Sequence, residues 1–230
     1  MIDIHSHFLP GMDDGSESPE ETLQMLRLSR QQGVDTIIAT PHFYALQDNP
    51  EQFLKLRQQA WEKVEYDPET MPKVLLGAEV TYFAGLSRSE DLDKLCIGDT
   101  RVLLIEMPLR PWNRHEIEDI CALPRQGFLP VMAHINRYMK KGQIPTHGQR
   151  LLGEGVLFQS NADFFLEGLS RNRAFRMLKA GQIHFLGSDS HNMTHRASRM
   201  DEAEKVIGKK LGVEALERLD QIAKDIFGLN

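Results

Sequence analysis

Apolar and β-branched residues cluster in short runs along the chain, at 2–4, 36–39, 74–78, 102–105, 129–133, 156–158 and 183–186. Their spacing of roughly 25 to 40 residues leaves room for a helix after most of them, the rhythm of βα units. Helix starts are marked by Ser18-Pro19-Glu20-Glu21, Asn49-Pro50-Glu51-Gln52 and Asn113-Arg114-His115-Glu116, each with a capping side chain ahead of its first turn. Gly33, Gly127 and Gly181 stand where a helix must close before the next strand. The runs VLLGA, VLLI and IHFLG are apolar throughout instead of alternating, as expected for parallel strands covered on both faces. Seven such units predict an α/β fold, a barrel or barrel-like variant, forming a single domain over residues 1–230. No GxGxxG follows the first strand and no GxxxxGK[ST] occurs, so the cofactor-binding open sheets lose support.

Composition narrows the setting. With 230 residues and 41% hydrophobic content, the chain can bury one sizeable core. The opening MIDIHSH has no basic, apolar leader, and no run approaches about eighteen apolar residues, so a soluble, unexported, cytoplasmic protein without membrane insertion is expected. Cys96 and Cys121 fit neither a CxxC site nor a disulfide framework and read as small buried hydrophobes. A net charge of −6, with only the isolated pairs Lys140-Lys141 and Lys209-Lys210, makes nucleic acid a poor partner. Repeats and low-complexity tracts are absent.

The chemistry lies at the strand ends. The first strand delivers His5 and His7, with Asp13 and Asp14 in the following loop. The second ends at His42, the third at Glu79, the fourth at Glu106 and the fifth at His134. The sixth offers only Ser160 and Asn161, and the seventh gives Asp189 and His191. In a parallel barrel that rim carries the active site. A single strand-end His is ordinarily a capping or core residue, and Asp13-Asp14-Gly15 alone would read as a turn. The pair His5 and His7 is stronger, because alternate strand residues point the same way. Polar groups arriving from six of seven predicted strands would be costly to bury unless they partner one another or a metal. His115, near a helix start, His147, in a polar loop, and His184, inside the last strand, are taken as structural, and His195 is left open.

These residues resemble the PHP superfamily, named for polymerase and histidinol phosphatase. The nearer likeness is to the bacterial PHP-type protein tyrosine phosphatases of capsule and exopolysaccharide operons. It is carried by MIDIHSH at 1–7, MDDG at 12–15, QGV at 32–34, ATPH at 39–42, GAE at 77–79, LIE at 104–106, PVMAH at 130–134 and SDSHN at 188–192. The resemblance implies a distorted (β/α)7 barrel holding up to three divalent ions, often manganese. It would place one ion on His5, His7, Glu79 and Asp189, a second on Glu79, Glu106 and His134, and a third on Asp14, His42 and His191. It likewise assigns phosphate binding to Arg137 and Arg196. Two positions depart from the family's habit: Asn136 stands where an acid commonly precedes the first arginine, and little chain follows Phe227.

Imidazole and carboxylate ligands without thiolate suit Mn, Fe or Zn. Ions about 3.5 to 4 Å apart can share a water and stabilise both oxygens of an in-line phosphoryl displacement, which implies a metal-bound hydroxide as nucleophile. Arginine's planar fork suits phosphate better than a lysine point charge. A phenolate with a pKa near about 10 leaves without a dedicated acid, and none is named. Thiol-based phosphatases need five residues between cysteine and arginine, whereas Cys96 and Arg101 enclose four and Cys121 and Arg125 three. The expected activity is hydrolysis of phosphotyrosine on a protein, such as the C-terminal tail of a bacterial tyrosine kinase. A small-molecule phosphatase acting on histidinol phosphate or a nucleotide, and a non-catalytic metal-binding module, are the alternatives. The oligomeric state stays open.

Overall fold

A computed structural model describes residues 1–139, 143–168 and 170–229, so the Lys140-Lys141 pair lies outside the described residues. Its strands are β1 (Ile2–Ser6), β2 (Thr36–Ala39), β3 (His42–Phe43), β4 (Lys73–Leu76), β5 (Glu79–Thr81), β6 (Val102–Glu106), β7 (Leu129–Met132), β8 (Leu157–Asn161) and β9 (Phe185–Gly187). The helices are α1 (Pro19–Gln31), α2 (Pro50–Glu62), α3 (Arg114–Ala122), α4 (Ile135–Met139), α5 (Gln143–Gly153), α6 (Asp163–Leu166), α7 (Arg171–Lys179), α8 (Met200–Leu211) and α9 (Val213–Phe227).

Every strand pairing is parallel, in the orders β1-β2-β4 and β3-β5-β6-β7-β8-β9. β2 and β3 are halves of one strand interrupted at Thr40-Pro41, where proline has no N–H for the ladder. β4 and β5 are likewise parted at Gly77-Ala78. Backbone bonds carry the pairing across both breaks: Gly77 N donates to Ala39 O at 2.8 Å and Glu79 N to Pro41 O at 3.0 Å. The last strand then meets the first. Ser6 bridges Ser190, His7 N donates to Ser190 O, and Asp189 N donates to His5 O, each bond 2.8 Å long. The result is a barrel of seven strand positions, as the spacing predicts, distorted as the resemblance implies.

The marked helix starts work as expected. Ser18 accepts from Glu21 N, Asn49 accepts from Glu51 N and Gln52 N, and Asn113 and Glu116 cap each other reciprocally. Gly33, Gly127 and Gly181 all have φ between 71° and 81°, the left-handed conformation that ends a helix most cheaply at glycine. Between β5 and β6 there is no α-helix, only the 3-10 turns Leu86–Arg88 and Leu92–Leu95.

Side-chain alternation sorts the core into two layers. Val102, Leu104, Val131, Ala133 and Ile38 form a barrel floor closed by Ala223 and Phe227 of α9. Ile37, Leu103, Ile105, Met132 and Phe158 belong to the larger apolar layer that also contains helix residues such as Met25, Ile117 and Phe175. Glu106 follows Val102 and Leu104 on the same face of β6, so that face runs from apolar floor to carboxylate mouth. A bulge between Asp3 and Ser6 inserts one residue into β1, letting Ile4 join the floor while His5 and His7 both reach the mouth. Among the described residues no helix is long and apolar enough to cross a membrane.

Candidate metal centre

The nine strand-end residues proposed from the sequence converge around Glu79, which is 1% exposed. Oε2 of Glu79 lies 3.2 Å from His5 Nε2, 3.3 Å from His7 Nε2 and 3.2 Å from His42 Nδ1. Its Oε1 is 2.7 Å from His134 Nε2, which in turn stands 3.5 Å from Glu106 Oε1. Oδ1 of Asp189 is 3.8, 3.6 and 3.7 Å from His5, His7 and His191. Asp14, at the exposed mouth, closes the ring at 3.3 Å from His191 and 3.7 Å from His42. Three sets of potential donor atoms each fall within 4.8 Å of one another: His7, Asp14, His42 and His191; His5, His7 and Asp189; and His42, Glu79 and Glu106. The sets share His7 and His42, a different partition from the one the resemblance implies, and His134, in none of them, joins the cluster through Glu79 and Glu106.

Backbone and neighbouring side chains aim these donors. His134 and Asp189 hold positive φ, 32° and 54°, uncommon for residues with a Cβ and characteristic of functional positions. A Cβ at Gly15 would overlap the His7 carbonyl oxygen, and one at Gly187 would sit 2.6 Å from His5 Cβ, so the loop after β1 and the end of β9 both need glycine to approach β1. His7 Nδ1 lies 2.7 Å from Asp13 Oδ2; a carboxylate only accepts, so Nδ1 donates and Nε2 faces the centre. His191 Nδ1 similarly donates to its own loop, at Asp189 O, 2.9 Å away. Gln159 Oε1 contacts His5 Nδ1 at 3.2 Å and accepts from His134 N, while Asn161 Nδ2 donates to Asp189 Oδ2 at 2.7 Å. Arg137 Nη2 donates to Asp189 Oδ2 at 2.7 Å, and Arg196 Nη2 to Asp189 Oδ1 at 2.9 Å. Their remaining ion pairs reach Glu106 and Asp14.

The family model for capsular polysaccharide synthesis, CpsB/CapC, matches residues 1–224. The chain belongs to the CpsB/CapC family. It is 33% identical over 224 residues to the tyrosine-protein phosphatase YwqE of Bacillus subtilis (strain 168), covering 93% of this chain and 86% of that protein. It is 31% identical over 234 residues to the tyrosine-protein phosphatase CpsB of Streptococcus pneumoniae, covering 95% and 94%. A solved structure from work on YwqE and CpsB, described as unique metal-dependent tyrosine phosphatases, superposes with a TM-score of 0.84 at 28% identity, covering 100% of this chain and 95% of that one. The resemblance drawn from the strand-end motifs is thus borne out. A phosphotriesterase homology protein from Escherichia coli shares the fold alone, with a TM-score of 0.54 at 11% identity and coverage of 96% and 97%.

The electrostatics of this CpsB/CapC site fit cations. Burial opposes ionisation of Glu79, yet the facing imidazoles of His5 and His134 hold it well below the usual carboxylate range. Burial likewise opposes charge on His7, but its bonds to Asp13 and Glu79 push its pKa up to about 10. The carboxylates therefore stabilise positive charge at this point, whether a proton or a metal ion supplies it. Burial keeps His134 and His42 neutral and, with His7 repelling, drops His191 to about 4. Neutral imidazoles are the form that ligates. Among the described residues, His42 Nδ1 and His191 Nε2, both facing carboxylates of the cluster, are buried without a hydrogen-bond partner, as atoms awaiting a metal would be. Burial and repulsion from Glu79 raise Glu106 to about 7.

The histidines read as structural lie elsewhere. His115 is 92% exposed, His147 stacks on Trp112 and His184 Nδ1 accepts from Phe158 N. His195 is exposed on the rim of a 380 Å³ pocket shared with Arg137 and Arg196. Both cysteines are buried, and burial pushes the Cys96 thiol up to about 12. The orienting partners Gln159 and Asn161 were not singled out as functional from sequence, although Asn161 ends the sixth strand on the same rim.

Proposed function

We propose that the chain is a metal-dependent protein-tyrosine phosphatase, acting in the cytoplasm on a phosphotyrosine protein, such as a tyrosine kinase that controls polysaccharide export. The observation that carries this reading is the anchoring of Arg137 and Arg196 on the carboxylate of Asp189 inside the histidine and carboxylate cluster. In this reading that arrangement sets groups suited to gripping phosphate beside groups suited to holding metal. His5, His7, Asp14, His42, Glu79, Glu106, His134, Asp189 and His191 would hold divalent ions, manganese in this reading. Such ions supply Lewis-acid polarisation of the phosphoryl group and lower the pKa of water.

The chain's own residues do the rest. Arg137 and Arg196 present N–H donors across the pocket mouth, fixed by Asp189, and so orient the phosphate oxygens. Asp13, Gln159 and Asn161 keep the ligating atoms turned inward. A phenolate leaving group needs no proton donor of its own. The buried thiols, one raised to about 12, stay out of the reaction.

The test is turnover of a phosphotyrosine peptide, histidinol phosphate and a nucleotide by protein stripped of metal and then resupplied with manganese, iron or zinc. Restored turnover favouring the peptide is expected. A preference for histidinol phosphate or the nucleotide would move the reading to a small-molecule phosphatase. Full activity in excess chelator, with residual metal excluded by elemental analysis, would falsify metal dependence.

A further inference from the structure

A groove of 670 Å³ opens from the candidate metal centre at Asp14 and His42 and runs along α2. Its size falls within the ~300 to 1,000 Å³ of small-ligand sites and exceeds what a phosphate alone would fill. Five large hydrophobic residues stand exposed among the described residues: Tyr44, Leu46, Leu56, Leu109 and Val213. Tyr44 and Leu56 line this groove and Leu46 lies in the adjoining turn, a concentration that random scatter of surface apolar groups does not explain.

The turn that carries them is well built. Tyr44 N donates to Asp48 Oδ2 at 2.6 Å, and Gln47 N and Asp48 N both donate to Tyr44 O at 2.8 Å. Within that turn Leu46 is 95% exposed. The Tyr44 ring stacks on His42 at 5.3 Å between centroids, joining the apolar wall to the metal-ligating set. Gln52 and Gln59 add carboxamides, which both donate and accept as a peptide backbone requires.

We propose that this groove binds the polypeptide segment flanking the phosphotyrosine, seating an apolar or aromatic neighbour of that residue on Tyr44 and Leu56. The inference rests on the tyrosine-phosphatase reading and narrows its substrate class to peptides with such a flank. A substrate whose phosphate reaches the ligands lays its adjoining chain along α2, because the groove is continuous with the site at His42 and Asp14.

The experiment compares wild-type holoprotein with Leu56→Glu and Leu46→Glu, both at exposed positions outside the catalytic set. Two readouts are used: kinetics on phosphotyrosine peptides with leucine or glycine flanks and on para-nitrophenyl phosphate, and binding of a non-hydrolysable phosphonate version of the leucine-flanked peptide. For Leu56→Glu, KM and Kd for the leucine-flanked peptide should rise about tenfold, the effect of losing one partly buried aliphatic contact. Leu46→Glu should shift both in the same direction. kcat, and every constant for para-nitrophenyl phosphate, should hold. Unchanged peptide affinity in both variants, or an equal loss on para-nitrophenyl phosphate, would overturn the groove assignment. Phosphonate-peptide binding that stays sensitive to Leu56→Glu in a protein inactive with every divalent ion would sink the phosphatase reading and leave the groove standing.

Discussion

Glu79 touches four imidazoles through two oxygens, so its removal should do more damage than the loss of any single histidine. Glu79→Ala is expected to lose bound metal and with it kcat, as seen by elemental analysis beside steady-state kinetics. Arg137→Ala and Arg196→Ala should keep their metal and lose kcat/KM on a phosphotyrosine peptide by about a hundredfold each, the worth of one oriented charge-assisted donor. Near-normal kcat/KM in both would return them to the status of surface charges. Asp13→Asn should weaken metal affinity by about 10- to 100-fold through loss of the aim of His7, measurable by calorimetric titration. At this scale most of the proposed ligands were legible because they stand at or just after the end of an apolar run, whereas Asp14, in a turn-like loop, stood out only through the family resemblance. Asp13 was less so: its partner His7 is six positions away and its use depends on a loop fold that brings Gly15 against β1. Gln159 was hidden for a related reason, since its partners His5 and His134 come from other strands.

Elements were easier to find than their irregularities. The continuous apolar runs located the strand positions, and proline after a capping residue located α1 and α2. The break between β4 and β5 was not visible, because Gly77 and Ala78 continue the apolar pattern while the backbone departs from it. The break has a use. A Cβ at Gly77 would come within 2.7 Å of the Ile97 side chain, and the chain resumes at Glu79, the first residue of β5 and the hub of the site. Helix α9 has the opposite duty, covering the apolar floor with Phe227 packed against Phe185 at 5.9 Å. Phe227→Ala should therefore destabilise the fold by about 3 kcal/mol in urea unfolding, while leaving the metal stoichiometry unchanged. A loss below about 1 kcal/mol would mean that the floor closes without the helix.

Across the whole molecule, pH acts on stability through groups far from the catalytic mouth as well as those within it. Burial, with Arg218 adding repulsion, lowers His184 from 6.5 to about 4. The unfolded chain then binds the proton more readily than the folded one between those values, so this residue's contribution is complete above 6.5 and is lost as pH falls toward 4. The stability of wild type relative to His184→Gln should decline through that window and stay level outside it, as urea titrations at stepped pH would register. An unchanged difference from pH 7 to 4 would mean that His184 is solvated in the folded state.

Closure of the barrel sets an order of events. His5 and His7 leave the ribosome well before Asp189 and His191, which belong to the far side of a seam whose bridging serines are 184 residues apart. Until that seam zips, the chain has histidines but no pocket, and any ion they catch is held by too few donors to stay. A metal held by the proposed ligands would therefore act as a latch fastened last, rewarding only the closed ring. By mass action such a latch would stabilise the closed ring by about 4 kcal/mol when free ion exceeds its dissociation constant a thousandfold, and so raise the unfolding temperature. Without metal the seam would rest on its backbone bonds and on side-chain contacts such as Ser6 to Ser190 and Ser188 N to Asp3, and it is the place where a protease or a competing strand would first find an edge.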